Sequence, residues 1–227
     1  MTPEVILIVA AYNEADRLPA TLDALHDAFP SARVIVADDG SRDATAHAAL
    51  QGGAELVRAP RTIGKGGVVT LAAERVLHRA HEPDPPIFVL CDGDLADSAR
   101  RLPELVEAVE RGDGDLAVAA FARRVGGGFG AALGFARWVA RRRAGIELRA
   151  PISGQRAMRG SVLGVVVPFA PAFGMETGMN IDAARAGFRI VEVELELGHR
   201  ATGKSLRGFV HRFRQLVDFA RVYVDRR

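Results

Sequence analysis

The stretch Pro86-Ile87-Phe88-Val89-Leu90-Cys91-Asp92-Gly93-Asp94-Leu95 runs five apolar residues into two carboxylates separated by one glycine. A short, continuous apolar run reads as a strand buried on both faces, the kind found in a parallel sheet. Open parallel sheets bind ligands outside the carboxyl ends of their strands. Asp92 and Asp94 fall at such an end. There, a carboxylate pair can hold a divalent cation against a diphosphate, since Mg²⁺ is commonly bound by one or two carboxylates plus substrate phosphates. Taken alone, an Asp-Gly-Asp is also an ordinary polar turn.

The same pattern recurs upstream. Val5 to Ala10 is a second apolar run, closed by Ala11-Tyr12-Asn13-Glu14. Leu18, Leu22, Leu25 and Phe29 follow at helical spacing, and Pro30 ends that helix. Arg33 to Ala37 is a strand leading into Asp38-Asp39-Gly40-Ser41-Arg42-Asp43, and Asp43 can cap a helix from Ala44 to Gln51. Glu55 to Arg58 is a short strand, followed by a loop from Pro60 to Gly67 and a helix from Val68 to Arg79. Alternating strands and helices predict βαβ units and a mostly parallel sheet, an α/β fold. Right-handed crossovers then gather Tyr12, Asn13, Glu14, Asp38, Asp39, Asp92 and Asp94 on one rim.

The second half is less regular. Helices are expected over Leu102 to Arg111, Ala131 to Arg143 and Glu176 to Ala186, with strands at Leu116 to Ala120 and Arg189 to Leu195. The segment from Ile152 to Arg159 reads as a turn into a strand. Ser205 to Val224 reads as a long basic amphipathic helix, able to pack on the domain or to lie on an anionic membrane.

Composition sets the outer limits. The chain has 227 residues, 48% hydrophobic and 26% charged, which suits one globular domain with a sizeable core. A net charge of +2 gives no reason to expect a nucleic-acid partner. The lone cysteine, Cys91, lies in an apolar run, so a core thiol in a reducing cytoplasm is expected. No window of about 20 residues is apolar enough to span a bilayer. The start, Met1-Thr2-Pro3-Glu4, lacks the basic region of a signal peptide.

Four motifs in order carry a resemblance: Ala11-Tyr12-Asn13-Glu14, Asp38-Asp39-Gly40-Ser41-Arg42-Asp43, Gly64-Lys65-Gly66 and Asp92-Gly93-Asp94. Together they resemble the nucleotide-sugar half of glycosyltransferase family 2, which has the GT-A fold. The resemblance implies one GT-A domain, with roughly residues 1–120 for the nucleotide sugar and 121–227 for the acceptor. It implies that Ala11, Tyr12, Asn13, Glu14, Asp39, Gly64, Lys65, Asp92 and Gly93 line the donor site. Asp39 would take the base or ribose and Lys65 the phosphates. Asp94 would bind Mg²⁺ or Mn²⁺.

Two branches of the family compete for the second half. Ser153-Gly154-Gln155-Arg156-Ala157-Met158-Arg159 and His199-Arg200-Ala201-Thr202-Gly203-Lys204-Ser205 resemble segments of the dolichyl- and polyprenyl-phosphate sugar synthases. Gln155 departs from an aromatic position there, and Ala150 from an aspartate. Met175-Glu176-Thr177-Gly178-Met179-Asn180-Ile181-Asp182 and His199 resemble glucosyl-3-phosphoglycerate synthases, which retain anomeric configuration and use the histidine as a metal ligand. Both branches imply a phosphate-bearing acceptor, with Ser153, Arg156, Arg159, Arg200 and Lys204 as candidate contacts. A lipid-linked acceptor would place the protein at the inner membrane face. An ionised phosphate needs no strong base. A hydroxyl acceptor would, and Glu176 is the first candidate, Asp182 the second. From other classes, a sugar-phosphate nucleotidyltransferase would need a glycine-rich loop after the first strand. An idle binding protein with the same fold would not need its carboxylates.

Overall fold

The computed structural model describes residues 4–121, 130–171, 174–197 and 223–224. A seven-stranded sheet forms the centre: β1 Val5–Ala11, β2 Arg33–Asp38, β3 Glu55–Arg58, β4 Ile87–Asp92, β5 Leu116–Phe121, β6 Arg156–Arg159 and β7 Ile190–Leu195. Their order is β3-β2-β1-β4-β6-β5-β7. Every pairing is parallel except those of β6, which runs antiparallel to β4 and β5. The chain moves from β1 outward through β2 to β3, then returns to place β4 on the other side of β1. That reversal is a topological switch point, where the loops above the sheet part and leave a crevice.

Helices cover both faces. Strand residues alternate between them with period two. Leu7, Val9, Val36, Val89 and Cys91 pack toward α1 (Leu18–Ala28) and α4 (Pro103–Glu110). Ile6, Ile8, Ile35, Phe88 and Leu90 pack toward α3 (Lys65–Val76), α6 (Gly160–Val166) and α7 (Met175–Arg185). Each fully buried aliphatic side chain contributes about 1.5–3 kcal/mol. Two further helices are α2 (Thr45–Gln51) and α5 (Gly130–Ala144). Among the described residues no helix is long and apolar enough to cross a membrane.

Two expectations change. The helix expected from Val68 begins at Lys65, with Gly66 buried in its first turn. Its end is also altered, since Leu77–His81 is a 3₁₀ turn and not more α-helix. Helix α6 was not expected, because glycine and valine are poor helix formers. Close packing selects it: a Cβ on Gly160 would come within 2.8 Å of Pro85 Cβ and 2.9 Å of the Ala80 carbonyl. The expected tail helix lies outside the described residues apart from Tyr223 and Val224, which are helical.

Candidate active site

Register brings the acidic loops together. Ala11 lies beside Asp38, and Ala10 beside Asp92. Past the strand ends the contact continues: Asp39 N–H donates to the Ala11 carbonyl at 3.0 Å, and Gly93 N–H to that of Ala10 at 2.8 Å. Ala11 itself is buried, so its share in the rim is its backbone. Tyr12 is exposed. Asn13 takes a left-handed φ of 55°. Its N–H donates to Ser41 Oγ, and its side-chain carbonyl accepts from Arg42 N–H. Glu14 N–H donates to Thr45 Oγ1 at 2.8 Å, so the first loop is laced to the second.

The two neighbouring aspartates are fully or nearly buried and brace loops. Asp38 accepts from Ser41 N–H at 2.9 Å and pairs with Arg58 Nε at 3.1 Å. Asp39 accepts from Ile63 N–H at 2.7 Å and from Gly64 N–H at 3.0 Å. These bonds fix the loop that ends in Gly64, at φ 88°, and launch α3 with Lys65 at its first residue. A cleft of about 560 Å³ opens beside them, lined by residues 40–42 and 58–62. Two arginines of that lining, Arg58 and Arg61, carried no signal in the sequence, whereas Arg42 belongs to the Asp-Asp-Gly-Ser-Arg-Asp motif.

Asp92 is held from both halves of the chain. Its Oδ1 lies 2.6 Å from Lys65 Nζ, and its Oδ2 accepts from Gln155 Nε2 at 2.8 Å. Lys65 Nζ also donates to Glu176 Oε1 at 2.9 Å. Burial works against the Lys65 charge, but Asp92 and Glu176 outweigh it and hold the ammonium well above the ordinary lysine range. Gln155, the departure from the aromatic position, is fully buried, and Ser153 Oγ donates to its Oε1 at 3.2 Å. Gly154 lets the pair of Asp92 and Lys65 close up: a Cβ there would come within 2.6 Å of both Asp92 Oδ2 and Lys65 Nζ and would push the two side-chain ends aside.

Asp94 is held on the other side. Arg17 Nη1 donates to its carbonyl at 3.0 Å and lies 4.0 Å from its Oδ2. Beneath, the fully buried Thr21 spans the turn, donating to the Gly93 carbonyl and accepting from Ala96 N–H, each at 2.8 Å. Nothing in the sequence tied Thr21 to a turn 72 residues away.

Several expected acceptor contacts fall elsewhere. Arg156 is fully buried and cannot meet a ligand from solvent. Its Nε donates to the Ser153 carbonyl, its Nη1 to Asn180 Oδ1 at 2.6 Å and its Nη2 to the Pro151 carbonyl. Burial lowers its pKa to about 10, so it stays charged at neutrality. Arg159 pairs in register with Ile87, at the amino end of β4. It lies at the opposite end of the sheet from Asp92, because β6 runs antiparallel, and it bonds the Val109 carbonyl. Asp182 is six residues beyond Glu176 on α7, a face turned about 120° away. His199, Arg200 and Lys204 lie outside the described residues.

Among the described residues no three His, Cys, Asp or Glu side chains gather as a metal cage. The donor set of Asp92 and Asp94 still fits a hard cation that takes its remaining ligands from water and phosphate. The Asp94 side chain is 20% exposed.

A GT-A arrangement follows from these features: a sheet with one antiparallel strand, a switch-point crevice and carboxylates at its mouth. The profile of glycosyl transferase family 2 matches residues 6–164. An undecaprenyl-phosphate mannosyltransferase of Micrococcus luteus is 30% identical over 222 residues, 88% of this chain and 86% of that one. The structure is similar to glucosyl-3-phosphoglycerate synthase of Mycobacterium tuberculosis in complex with phosphoglyceric acid, with a TM-score of 0.77 and 25% identity, covering 97% of this chain and 80% of that one. A second structure of that enzyme, with Mn²⁺, uridine diphosphate and glucosyl-3-phosphoglycerate, has a TM-score of 0.75 and 24% identity over the same shares, a likeness of fold alone. The chain therefore belongs to glycosyl transferase family 2 and is a nucleotide-sugar-dependent glycosyltransferase of the GT-A fold.

Proposed function

We propose that the enzyme moves a hexose from a nucleoside-diphosphate sugar to a polyprenyl phosphate. The observation that carries this reading is the double hold on Asp92, by Lys65 of the first half and Gln155 of the second, with Glu176 completing the cluster. Donor and acceptor segments meet at one carboxylate. The likeness to an undecaprenyl-phosphate mannosyltransferase along most of both chains supports the acceptor class.

In this reading the cleft beside Asp39 takes the base and ribose, and Asn13 and Glu14 close its rim. Lys65 offers a point charge to the diphosphate. A divalent ion, Mg²⁺ or Mn²⁺ at Asp94 with Asp92, would offset the charge developing on the leaving diphosphate. The acceptor's phosphate oxygen attacks the anomeric carbon, a C–O bond forms, and the bond from that carbon to the diphosphate oxygen breaks. No proton has to be removed, because the attacking oxygen is already ionised. Arg200, Lys204 and His199 remain proposed contacts of the acceptor or metal. A second reading, transfer to a small phosphate-bearing acid, is favoured by the fold shared with glucosyl-3-phosphoglycerate synthase and by the siting of Glu176 beside Lys65.

Labelled UDP-, GDP-, ADP- and dTDP-sugars, offered with detergent-dispersed polyprenyl phosphate or with 3-phosphoglycerate, separate the two. A metal-dependent lipid product is expected. Product on 3-phosphoglycerate alone would install the second reading. Asp94→Ala should abolish product yet melt within about 2 °C of wild type, because a rim substitution costs about 0.5 kcal/mol or less. An unfolded Asp94→Ala protein would count against its role as a ligand.

A further inference from the structure

Helix α5 has an outward face that the site does not use. Inward, Val139 packs with Ala170 and Ile181, and Ala136 packs with Ile152, next to the turn that carries Ser153 and Gln155. Outward, Trp138 is 48% exposed, and it is the chain's one tryptophan. Its ring stacks on Phe135, centroids 5.6 Å apart, and tilts against Tyr223 at 5.0 Å. Arg137, Arg141 and Arg142 are exposed on the same stretch of helix. With 3.6 residues per turn, Arg141 and Arg142 lie three and four positions from Trp138, directly alongside it. Arg143 covers the Tyr223 ring, 3.6 Å from its centroid. Glu147, just past the end of α5, lies 3.7 Å from Arg141.

A single exposed apolar residue needs no explanation. Trp138 set among four arginines does, with the half-buried rings of Phe135 and Tyr223 beside it seating it on the Val139 cluster. Indole prefers the boundary between water and lipid. Arginine stems can lie along apolar surface while their heads bond lipid phosphate. Net positive charge on this face is complementary to an anionic bilayer. We propose that this face of α5 docks the protein on an anionic membrane surface. The proposal extends the polyprenyl-phosphate reading by naming the surface that would bring the site to its acceptor.

Because Trp138 is the one tryptophan, its emission reports this face alone. The full chain is titrated with vesicles of phosphatidylcholine containing roughly one-third phosphatidylglycerol, a strongly anionic surface. The emission should shift to the blue and be quenched by bromine-labelled lipid. Pure phosphatidylcholine should give neither effect. About 1 M salt, where the Debye length is about 3 Å, should reverse the binding. Arg141→Ala with Arg142→Ala should weaken vesicle binding about 25-fold, at about fivefold for each charge lost. Overturning results are no shift with anionic vesicles, equal shifts on both vesicle types, or unchanged affinity in the double variant. A shift that follows protein concentration without lipid would assign the face to a second copy instead and overturn the proposal too. The assay contains no sugar donor and no polyprenyl phosphate, so its failure is distinct from failure of the transfer assay.

Discussion

The Lys65 ammonium lies 2.6 Å from an Asp92 oxygen and 2.9 Å from Glu176 Oε1. Its folded-state proton affinity is raised above the ordinary value of 10.5. A raised base stabilises the fold at every pH below its unfolded value, and that stabilisation is lost only as pH climbs through the higher folded value. Lys65 therefore stays charged across the working range. The rate profile from about pH 6 to about pH 9 should show no limb from this group. Lys65→Met should lower transfer by about 100-fold across that whole range, the scale of losing one preorganised charge. A basic limb in the wild type that vanishes in Lys65→Met would contradict this. Cys91, one residue before Asp92, is the opposite case. Burial foremost, and then the Asp92 charge, push its thiol up, so it is an inert core residue.

At the level of elements, α1 positions the turn from Asp92 to Ala96 as much as β4 does. Thr21 faces inward from α1 and satisfies two backbone groups of that turn. Thr21→Val keeps the shape and removes both bonds. Leaving a buried backbone group unpaired costs about 1–3 kcal/mol; the Gly93 bond is buried and the Ala96 bond only partly so, and urea denaturation should show a loss of at least about 1–3 kcal/mol. Donor affinity should fall as well, because the turn carries Asp94. A variant that loses stability yet binds the nucleotide sugar unchanged would refute the positioning role. Helix α7 has a comparable double duty. Glu176 in its first turn reaches Lys65, and Asn180 one turn on receives the Arg156 guanidinium that pins the Ser153 turn.

For the whole molecule, the switch point dictates where binding registers. In the proposed reading, a ligand in that crevice would tie the loops after β1, β2 and β4 to the turn before β6, four segments remote in sequence. Binding to the native state alone should raise its stability by about 2.7 kcal/mol at 100 times Kd, about 5–10 °C for a chain of this length. In a thermal melt, one nucleotide sugar should give this shift with Mn²⁺ present and little without it. Equal shifts with and without metal would remove the cation from donor binding.

Much of this molecule was legible in the chain itself, because its signals are local. The runs Val5 to Ala10, Arg33 to Ala37 and Ile87 to Cys91 are short, apolar and flanked by turn residues, and strands formed there with parallel partners. Their carboxyl-end acids gathered on one rim, since a parallel sheet has no other place for them. What the sequence could not state was direction and burial. Arg156 and Arg159, three residues apart, both read as acceptor contacts. An antiparallel β6 sent Arg159 to the far end of the sheet, and a fully buried site gave Arg156 to Asn180 and two carbonyls. Gln155 looked like a defect in a motif until folding set its amide against Asp92. Hydrophobic periodicity is written along the chain, whereas the partner of a polar side chain is chosen only when distant segments pack.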